Sequence, residues 1–594
     1  MKELVFPFNG NDIMRRRKKL RKQLVSDGNI RIKKKIAVLG GSTTDHIISA
    51  LELFLLNNGI EPEFYQSEFN KFYEDAVFGS EKLDSFRPDV IFIHTTSRNL
   101  KYIPDRPDIS EDELKKRLDA ELSYFRNIWS ALEKKHSCPI IQNNFELPLF
   151  RQTGNYDGWG LSGHSSYISR MNLLFAYEAV RNNNLFINDI NYLSAAAGLV
   201  TWHDPEAWYM YKYAMSTAVI PDLAYSVASI IKALFGRNKK VIALDLDNTL
   251  WGGVISEDGV GDIELGTETA VGMSFSEFQK FLKGYKDHGV LLTVCSKNDK
   301  ENALAGLNHP DSILSPEDFV LIKANWENKD KNISDTANEL GLLTDSFVFI
   351  DDNPAECAIV EEQLPETTVL HLSSTAQTMY ELSRSGYFEV ISVSGEDIRR
   401  SEMYSANAKR TAQQKSFTDY ADYLRSLDMK AIIGDFQPIL LSRIAQLTNK
   451  SNQFNLTTKR YSEAEIKALS CSPGYIRLCG RLIDKFGDNG IVSVVIGRIE
   501  QDVLHIDLWL MSCRVLKRDM EFAMLDELVR ICCEKGIRKI MGYYYRTPKN
   551  NMVAELYGRF GFARISVSEN GDSVWVLDTK DYEDQNNVIK VNPD

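Results

Sequence analysis

Short apolar runs that stop abruptly at polar residues recur along the chain. In the first 236 residues they read KIAVLGG (35–41), DVIFIHT (89–95) and CPIIQNN (138–144). Further on come VIAL (241–244), LLTVCSKN (291–298) and SFVFIDDNP (346–354). Runs of this length with polar ends predict buried strands. Between them the apolar positions recur at helical spacing, in HIISALELFLLNNG (46–59) and SFSEFQKFLKGYKDHG (274–289). Strands alternating with helices predict α/β architecture built on parallel sheets. A polar helical stretch, GEDIRRSEMYSANAKRTAQQ (395–414), reads as a linker helix. Beyond it LHIDLWLMSCRVL (504–516) and IRKIMGYYYR (537–546) predict strands around an amphipathic helix, MEFAMLDELVRICCEKG (520–536). Three regions follow, 1–236, 237–390 and 391–594, in keeping with a length of 594 residues at roughly 150 residues per domain.

The middle region carries the densest chemistry. VIALDLDNTL runs four apolar residues into Asp245, Asp247 and Thr249. Two carboxylates two residues apart beyond a strand end form a compact anionic pocket. Such a pocket suits a hard cation such as Mg²⁺, which binds through oxygen. A carboxylate held there can also attack phosphorus and form an aspartyl-phosphate; a loop capping a helix is the plain alternative. The second strand ends in Cys295 and Ser296, with Asn298 just beyond; IKANWENKDKNI places Lys329 at the start of a helix; the third strand ends in Asp351 and Asp352. Carboxyl ends of parallel strands are where such sheets bind ligands. Ser296, Asn298 and Lys329 supply donors to a phosphoryl group, and Asp351 and Asp352 add carboxylates to Asp245 and Asp247 in a metal site.

Cys295 has two readings. A thiolate beside Ser296 could take an acyl group as a thioester. Strand neighbours alternate faces, however, so a pocket-facing Ser296 turns Cys295 into the core. Cys513 is a second, weaker candidate.

The order Asp-x-Asp-x-Thr, Ser, Lys, Asp-Asp resembles the four motifs of the haloacid-dehalogenase (HAD) phosphohydrolase superfamily. The resemblance implies a Rossmann-like parallel α/β domain with Asp245 as nucleophile and Asp247 as general acid/base. It further implies Ser296 and Lys329 around the phosphoryl group, and Mg²⁺ completed by Asp351 or Asp352. DLDNTLWGGVISEDGVGDIELG, VCSKND, NWENK and FIDDNP are similar to the FkbH-like branch of that superfamily. So are SNQFNLTTKRYSEAEI (451–466), DKFGDNGIVSVV (484–495) and LMSCRVLKRDME (510–521). That branch implies transfer of a glyceryl unit from a bisphosphoglycerate to a carrier-protein thiol. The expected activity is a Mg²⁺-dependent phosphohydrolase or phosphotransferase acting on a small phosphorylated substrate. Glyceryl transfer onto an acyl carrier protein's phosphopantetheine and a non-catalytic docking scaffold are the alternatives. Only 51 residues separate Asp245 from Ser296, and 22 separate Lys329 from Asp351. Neither interval has room for a sizeable cap domain, so the site is expected to be open or to borrow a wall.

The flanking regions carry weaker signals. Gly40-Gly41-Ser42 at a strand-to-helix turn resembles the start of SGNH-type esterases, which implies Ser42 as a nucleophile in a parallel α/β domain. The Gly41 and Ser42 amides, with Asn99 or Asn144, are candidate oxyanion donors. The base is missing in its usual form: TWHDPEAWYMYKY (201–213) has His203 beside Asp204 and no Asp-x-x-His. His164 is another candidate. A retained fold used for docking or for a weak ligand site is the alternative. In the last region Asn551, Ala554, Leu556, Tyr557, Gly561 and Phe562 form a pattern similar to GNAT acyltransferases, which implies an α+β domain. The expected pyrophosphate loop departs from that family: after Arg514, Lys517 and Asp519 stand where glycines let backbone approach phosphate. Coenzyme-A binding in the usual mode is therefore not expected, while Lys517 and Arg518 could meet a phosphopantetheine phosphate by side chain.

Composition adds exclusions. The net charge is −12, which argues against wholesale nucleic-acid binding. No apolar run approaches the roughly 18 residues of a membrane span. The start, MKELVFPFNGND, has no signal-peptide core. The eight cysteines show no CxxC or metal-ligand spacing, as expected for free thiols in the cytoplasm. The basic run from Arg15 to Lys22 reads as the solvated face of a helix, or as a surface for a carrier or other anion.

Overall fold

A computed structural model describes residues 1–592 apart from 394, 396–398, 415, 416 and 548. The chain divides into two compact units, Met1–Phe235 with Ser462–Glu465, and Gly236–Tyr461 with Ile466–Asp594. The architecture is mixed α/β, with two parallel sheets and one mixed sheet.

In the first unit, β1 (Ile32–Gly40), β2 (Ile60–Gln66), β3 (Val90–His94), β4 (Ile140–Asn143) and β5 (Leu185–Asn188) form a sheet in the order β2-β1-β3-β4-β5. All four pairings are parallel. β3 and β4 are buried along their whole length, which explains continuous apolar runs rather than alternation. The order reverses between β1 and β3, and a crevice opens at such a switch point. Ser42 and His94 stand on its two sides. The basic run lies within the helix Gly10–Ser26, which buries Ile13, Met14, Leu20 and Leu24 and turns Arg15, Lys18, Lys19, Arg21 and Lys22 outward.

The second unit holds the other two sheets. β6 (Val241–Leu244), β7 (Leu291–Ser296), β8 (Phe319–Ala324), β9 (Phe347–Asp351) and β10 (Thr368–His371) are ordered β10-β9-β6-β7-β8 and run parallel. β6 is central, and its switch point lies against β9. Asp245 and Asp351 therefore end neighbouring strands at one crevice. Among the described residues, the connections between these strands hold helices, turns and two isolated bridges, Asp247 with Trp251 and Gly252 with Glu264, and no further sheet. The helix Ala270–Asp287 fills the longest of them.

The third sheet comprises β11 (Lys430–Gly434), β12 (Phe454–Asn455), β13 (Tyr475–Asp484), β14 (Gly487–Glu500), β15 (Val503–Met511), β16 (Lys539–Tyr544), β17 (Ala563–Val567), β18 (Ser573–Asp578) and β19 (Lys590–Val591). Most neighbours are antiparallel, but β15 and β16 are parallel and pair only at 503–505 with 539–541. Beyond that point the two strands part, and the chain's own segment enters the wedge. β12 pairs antiparallel with the end of β15. The Leu456 amide then donates to the Trp509 carbonyl at 3.0 Å, and Tyr545 donates to the Leu456 carbonyl at 2.8 Å.

Two elements differ from the sequence reading. The strand expected over 504–516 ends at Met511, because Ser512 accepts a hydrogen bond from the Arg514 amide and turns Cys513–Val515 into a 3₁₀ turn. The polar 395–414 stretch, of which 396–398 lie outside the described residues, is helical over Arg400–Gln414. Despite its polar composition it buries Met403, Tyr404, Asn407 and Arg410. Tyr404 joins the apolar cluster behind β6, β7 and β9. Among the described residues, no helix is long and apolar enough to cross a membrane.

Candidate active site

β6 delivers Asp245 to the crevice with its amide bonded to the Ile350 carbonyl at 3.1 Å. β9 ends in Asp351, and Asp352 follows. These three carboxylates each offer an oxygen within 4.8 Å of the others. Lys329 opens the helix Lys329–Leu340, as its place in the sequence suggested. Its Nζ lies 3.0 Å from Asp245 Oδ2 and 2.5 Å from Asp351 Oδ2. Asp351 Oδ1 accepts from the Asn353 amide at 2.8 Å, and Thr249 Oγ1 reaches Asp352 at 3.5 Å. Asp245 Oδ1 is buried without a hydrogen-bond partner.

One ammonium faces three carboxylates, so the cluster carries excess negative charge out of water. The electrostatic consequences follow. Burial and the charge of Asp245 push the Asp351 carboxyl upward, to about 6, against the pull of Lys329. Burial and Asp245 likewise raise Asp352. Burial works against the Lys329 charge, but Asp245 and Asp351 outweigh it and hold the ammonium well above its ordinary range. A buried orphan carboxylate oxygen beside two strained carboxyls fits a divalent cation. The donor set is all oxygen, which suits Mg²⁺.

Asp247 is placed differently. Its carboxylate is not among the three that converge. Oδ1 accepts from Trp251 Nε1 at 2.9 Å and from the Ile255 amide at 3.1 Å, and Oδ2 accepts from Asn298 Nδ2 at 3.0 Å. Asn298 thus positions Asp247. The Trp251 ring is fixed in turn: a Cβ at Gly306 would stand 2.6 Å from it. Burial, the largest influence, raises the Asp247 carboxyl above its usual range, which suits a group that must hold a proton and release it.

Ser296 is buried at the end of β7. Cys295 faces the other way, into the apolar cluster with Val241, Leu291 and Phe349. Its Sγ donates to the Lys329 carbonyl at 3.5 Å, and burial pushes the thiol far up from its ordinary value. Thiolate, the reactive form, is scarce there. Strand alternation is the reading that this placement favours.

Beside Asp352 lies a recess of about 540 Å³, lined in part by Asn248, Phe275, His371, Ser373 and Thr375. His371, the last residue of β10, meets the Asp352 carbonyl at 2.8 Å. Sequence reading missed it. The signal was available: TVLH (368–371) is a further apolar run ending in a polar residue at the same sheet edge.

In the first unit the Ser42 hydroxyl meets a histidine that sequence spacing did not suggest. His94 Nε2 lies 3.0 Å from Ser42 Oγ. The glycines before Ser42 are required by space: a Cβ at Gly40 would stand 2.6 Å from Thr44, and one at Gly41 2.4 Å from Asn99. The residues considered as base are engaged elsewhere. His203 bonds the Leu147 carbonyl at 3.0 Å, Asp204 caps the helix Pro205–Tyr211, and His164 is exposed at its helix start. Of the candidate oxyanion donors, the Gly41 amide bonds the His94 carbonyl at 2.8 Å, Asn99 the Gly41 carbonyl at 3.0 Å and Asn144 the Asp189 carboxylate at 2.7 Å.

In the third sheet the candidate phosphate ligands separate. Lys517 is exposed. Arg514 and Arg518 are buried. Arg518 pairs with Asp484 at 3.0 Å and donates to the Arg514 carbonyl at 2.7 Å. Arg410 reaches the other oxygen of Asp484 at 2.6 Å. Lys517 and Asp519 both have left-handed backbone, with φ of 63° and 60°. The loop thus keeps the conformation that glycine favours while carrying side chains. Asn551 is exposed in a 3₁₀ turn, and Tyr557 is a core ring against Gly542.

Parts of the chain are similar to known proteins. Residues 35–232 match the family described as FkbH, N-terminal domain. The chain is similar to a crystal structure from Bacteroides fragilis, the N-terminal part of BF1531 containing a phosphatase domain complexed with Mg. Identity is 28%, the TM-score is 0.58, and the match covers 63% of this chain and 99% of that one. The ribosomal-protein-S18-alanine N-acetyltransferase of Escherichia coli matches 25% of the chain over 94% of its own length. At 12% identity and a TM-score of 0.20 that likeness decides nothing. No curated protein matches.

Proposed function

We propose that the second unit is a Mg²⁺-dependent phosphohydrolase or phosphotransferase of HAD type, working through an aspartyl-phosphate on Asp245. The observation that carries this reading is the convergence of Asp245, Asp351, Asp352 and Lys329, with one Asp245 oxygen buried and unpartnered. The Asp245 carboxylate attacks phosphorus, and the bond from phosphorus to the leaving oxygen breaks. Asp247 gives its proton to that oxygen. In the second half, Asp247 takes a proton from water as the water attacks the aspartyl-phosphate, which releases phosphate and restores Asp245. Lys329 orients Asp245 and balances charge on the transferring group, with Ser296 as a further donor to it. Asp245, Asp351 and Asp352 would hold Mg²⁺, which supplies Lewis-acid stabilisation of the phosphoryl oxygens. The 1–236, 237–390 and 391–594 regions would act as three functional segments.

A second reading is FkbH-like glyceryl transfer to the thiol of an acyl carrier protein, with phosphate released. The match over 35–232 favours it: the carrier thiol would attack the acyl carbon as the acyl phosphate leaves, and the Asp245 chemistry would remove the remaining phosphomonoester. The buried Cys295 does not support a covalent relay through that thiol.

The test is turnover of a chromogenic phosphomonoester with Mg²⁺, with EDTA, and by Asp245→Asn. Loss of turnover by orders of magnitude in the last two supports the reading. Activity retained by pure Asp245→Asn would sink it. Incubation with bisphosphoglycerate and a carrier protein, followed by intact mass, distinguishes hydrolysis from glyceryl transfer.

A further inference from the structure

The hydrogen bonds that end on Ser42 have a direction. Asn143, the last residue of β4, sits with its side-chain nitrogen 2.9 Å from His94 Nδ1 and 3.3 Å from the Thr95 carbonyl. Its side-chain oxygen accepts from Asn188 Nδ2 at 2.8 Å, and Asn188 Oδ1 accepts from Ser226 Oγ at 2.7 Å. A peptide carbonyl can only accept. The amide atom facing Thr95 must therefore be the donor nitrogen, and the same nitrogen donates to His94 Nδ1. A neutral imidazole that accepts at Nδ1 carries its proton on Nε2. His94 is fully buried, and burial lowers its pKa to about 4, so it is neutral at physiological pH. Its Nε2–H then donates to Ser42 Oγ across the 3.0 Å contact.

That is the reverse of what nucleophile activation needs, where Nε2 is bare and takes the serine proton. We propose that the first unit holds a dormant serine site, in which Asn143 is the positioning residue that locks His94 in the tautomer unable to act as base for Ser42. A carboxylate at 143 would accept from Nδ1–H and leave Nε2 bare. Ser42 in such a variant could attack a fluorophosphonate. The bond from Oγ to phosphorus would form and the bond from phosphorus to fluorine break, with the serine proton moving to Nε2 and fluoride leaving.

Two measurements on the full chain test this. In ¹⁵N-histidine-labelled protein, with the His94 signals assigned by loss in His94→Gln, Nε2 is expected to be protonated and Nδ1 bare. A fluorophosphonate is expected to leave the wild-type mass unchanged and to add one phosphonyl group to Asn143→Asp at least ten-fold faster. No addition is expected in Asn143→Asp/Ser42→Ala. A bare Nε2 in the wild type overturns the proposal. So does wild-type labelling at Ser42 at the variant's rate, or an unlabelled Asn143→Asp that melts like wild type. Should Asn143→Asp fail to fold, because its carboxylate meets the Thr95 carbonyl, the nitrogen spectrum of the wild type decides alone.

Discussion

Lys329 Nζ stands 2.5 Å from Asp351 Oδ2, with both side chains almost wholly out of water. Lys329 is the cation paired with Asp245 and Asp351, and Asp352 adds a third carboxylate to the cluster. Removing one partner of a buried pair leaves an uncompensated charge at a cost of about 3–5 kcal/mol. Lys329→Met is expected to lower the denaturant midpoint of the second unit by that order and to abolish turnover. Saturating Mg²⁺ should recover part of the stability and none of the activity. A variant as stable as wild type without metal would show that the pair carries no such strain.

The raised Asp351 carboxyl gives a pH dependence with a definite sign. Its folded-state value near 6 lies above the unfolded value of about 3.9. The metal-free fold therefore holds the proton more tightly than the unfolded chain, and this group's contribution to stability falls as pH rises through about 4 to 6. Mg²⁺ needs the carboxylate form, so its affinity rises across the same window. The gain in melting temperature from a fixed Mg²⁺ concentration should be larger at pH 7.5 than at pH 5.5. An Asp351→Asn variant should lose most of that difference. Equal gains at both pH values in the wild type would contradict the assignment.

Asp247 should matter in proportion to the need for a proton. Asp247→Asn preserves contacts from Trp251 and Ile255 only if its amide oxygen faces them, but it cannot protonate a leaving oxygen. Hydrolysis of alkyl phosphates is expected to fall by about 10²–10⁴, and that of p-nitrophenyl phosphate, whose leaving group needs less help, by clearly less. A loss independent of leaving group would move Asp247 from proton transfer to mere placement.

How much of this could be read from sequence varies by element. Asp245, Lys329, Asp351 and Asp352 were legible because each follows or opens an element whose apolar pattern marks it, and parallel sheets gather such ends at one edge. His94 and Asn143 were not. Both end buried strands, but the pairing of β3 with β1 and β4 is what brings them to Ser42, and nothing local encodes strand order. The helix Arg400–Gln414 misled for another reason. Its polar residues read as a linker helix, whereas Asn407 and Arg410 are paired inside. Binary patterning cannot distinguish a wet polar face from a satisfied buried one.

That buried network supports a last prediction, about the motifs at 484–495 and 510–521. Asp484 takes Arg410 on one oxygen and Arg518 on the other, at 2.6 and 3.0 Å, with all three side chains buried. Asn407 adds contacts to the Arg514 carbonyl and to Arg518. Burial lowers the Arg518 guanidinium toward about 10, with Arg410 adding repulsion and Asp484 opposing it. Two buried cations share one anion, so the loss of Asp484 should be severe. Asp484→Ala is expected to destabilise the second unit by about 3–5 kcal/mol, read as a shifted denaturation midpoint. Arg518→Met keeps Arg410 paired with Asp484 and fills similar volume, so its cost should be smaller. If Arg518 instead served to grip a carrier's phosphate, Arg518→Met would weaken carrier binding while leaving the Asp484→Ala variant stable. Measuring both midpoints, with carrier affinity by calorimetry, separates the two roles. A stable Asp484→Ala protein would overturn the structural one.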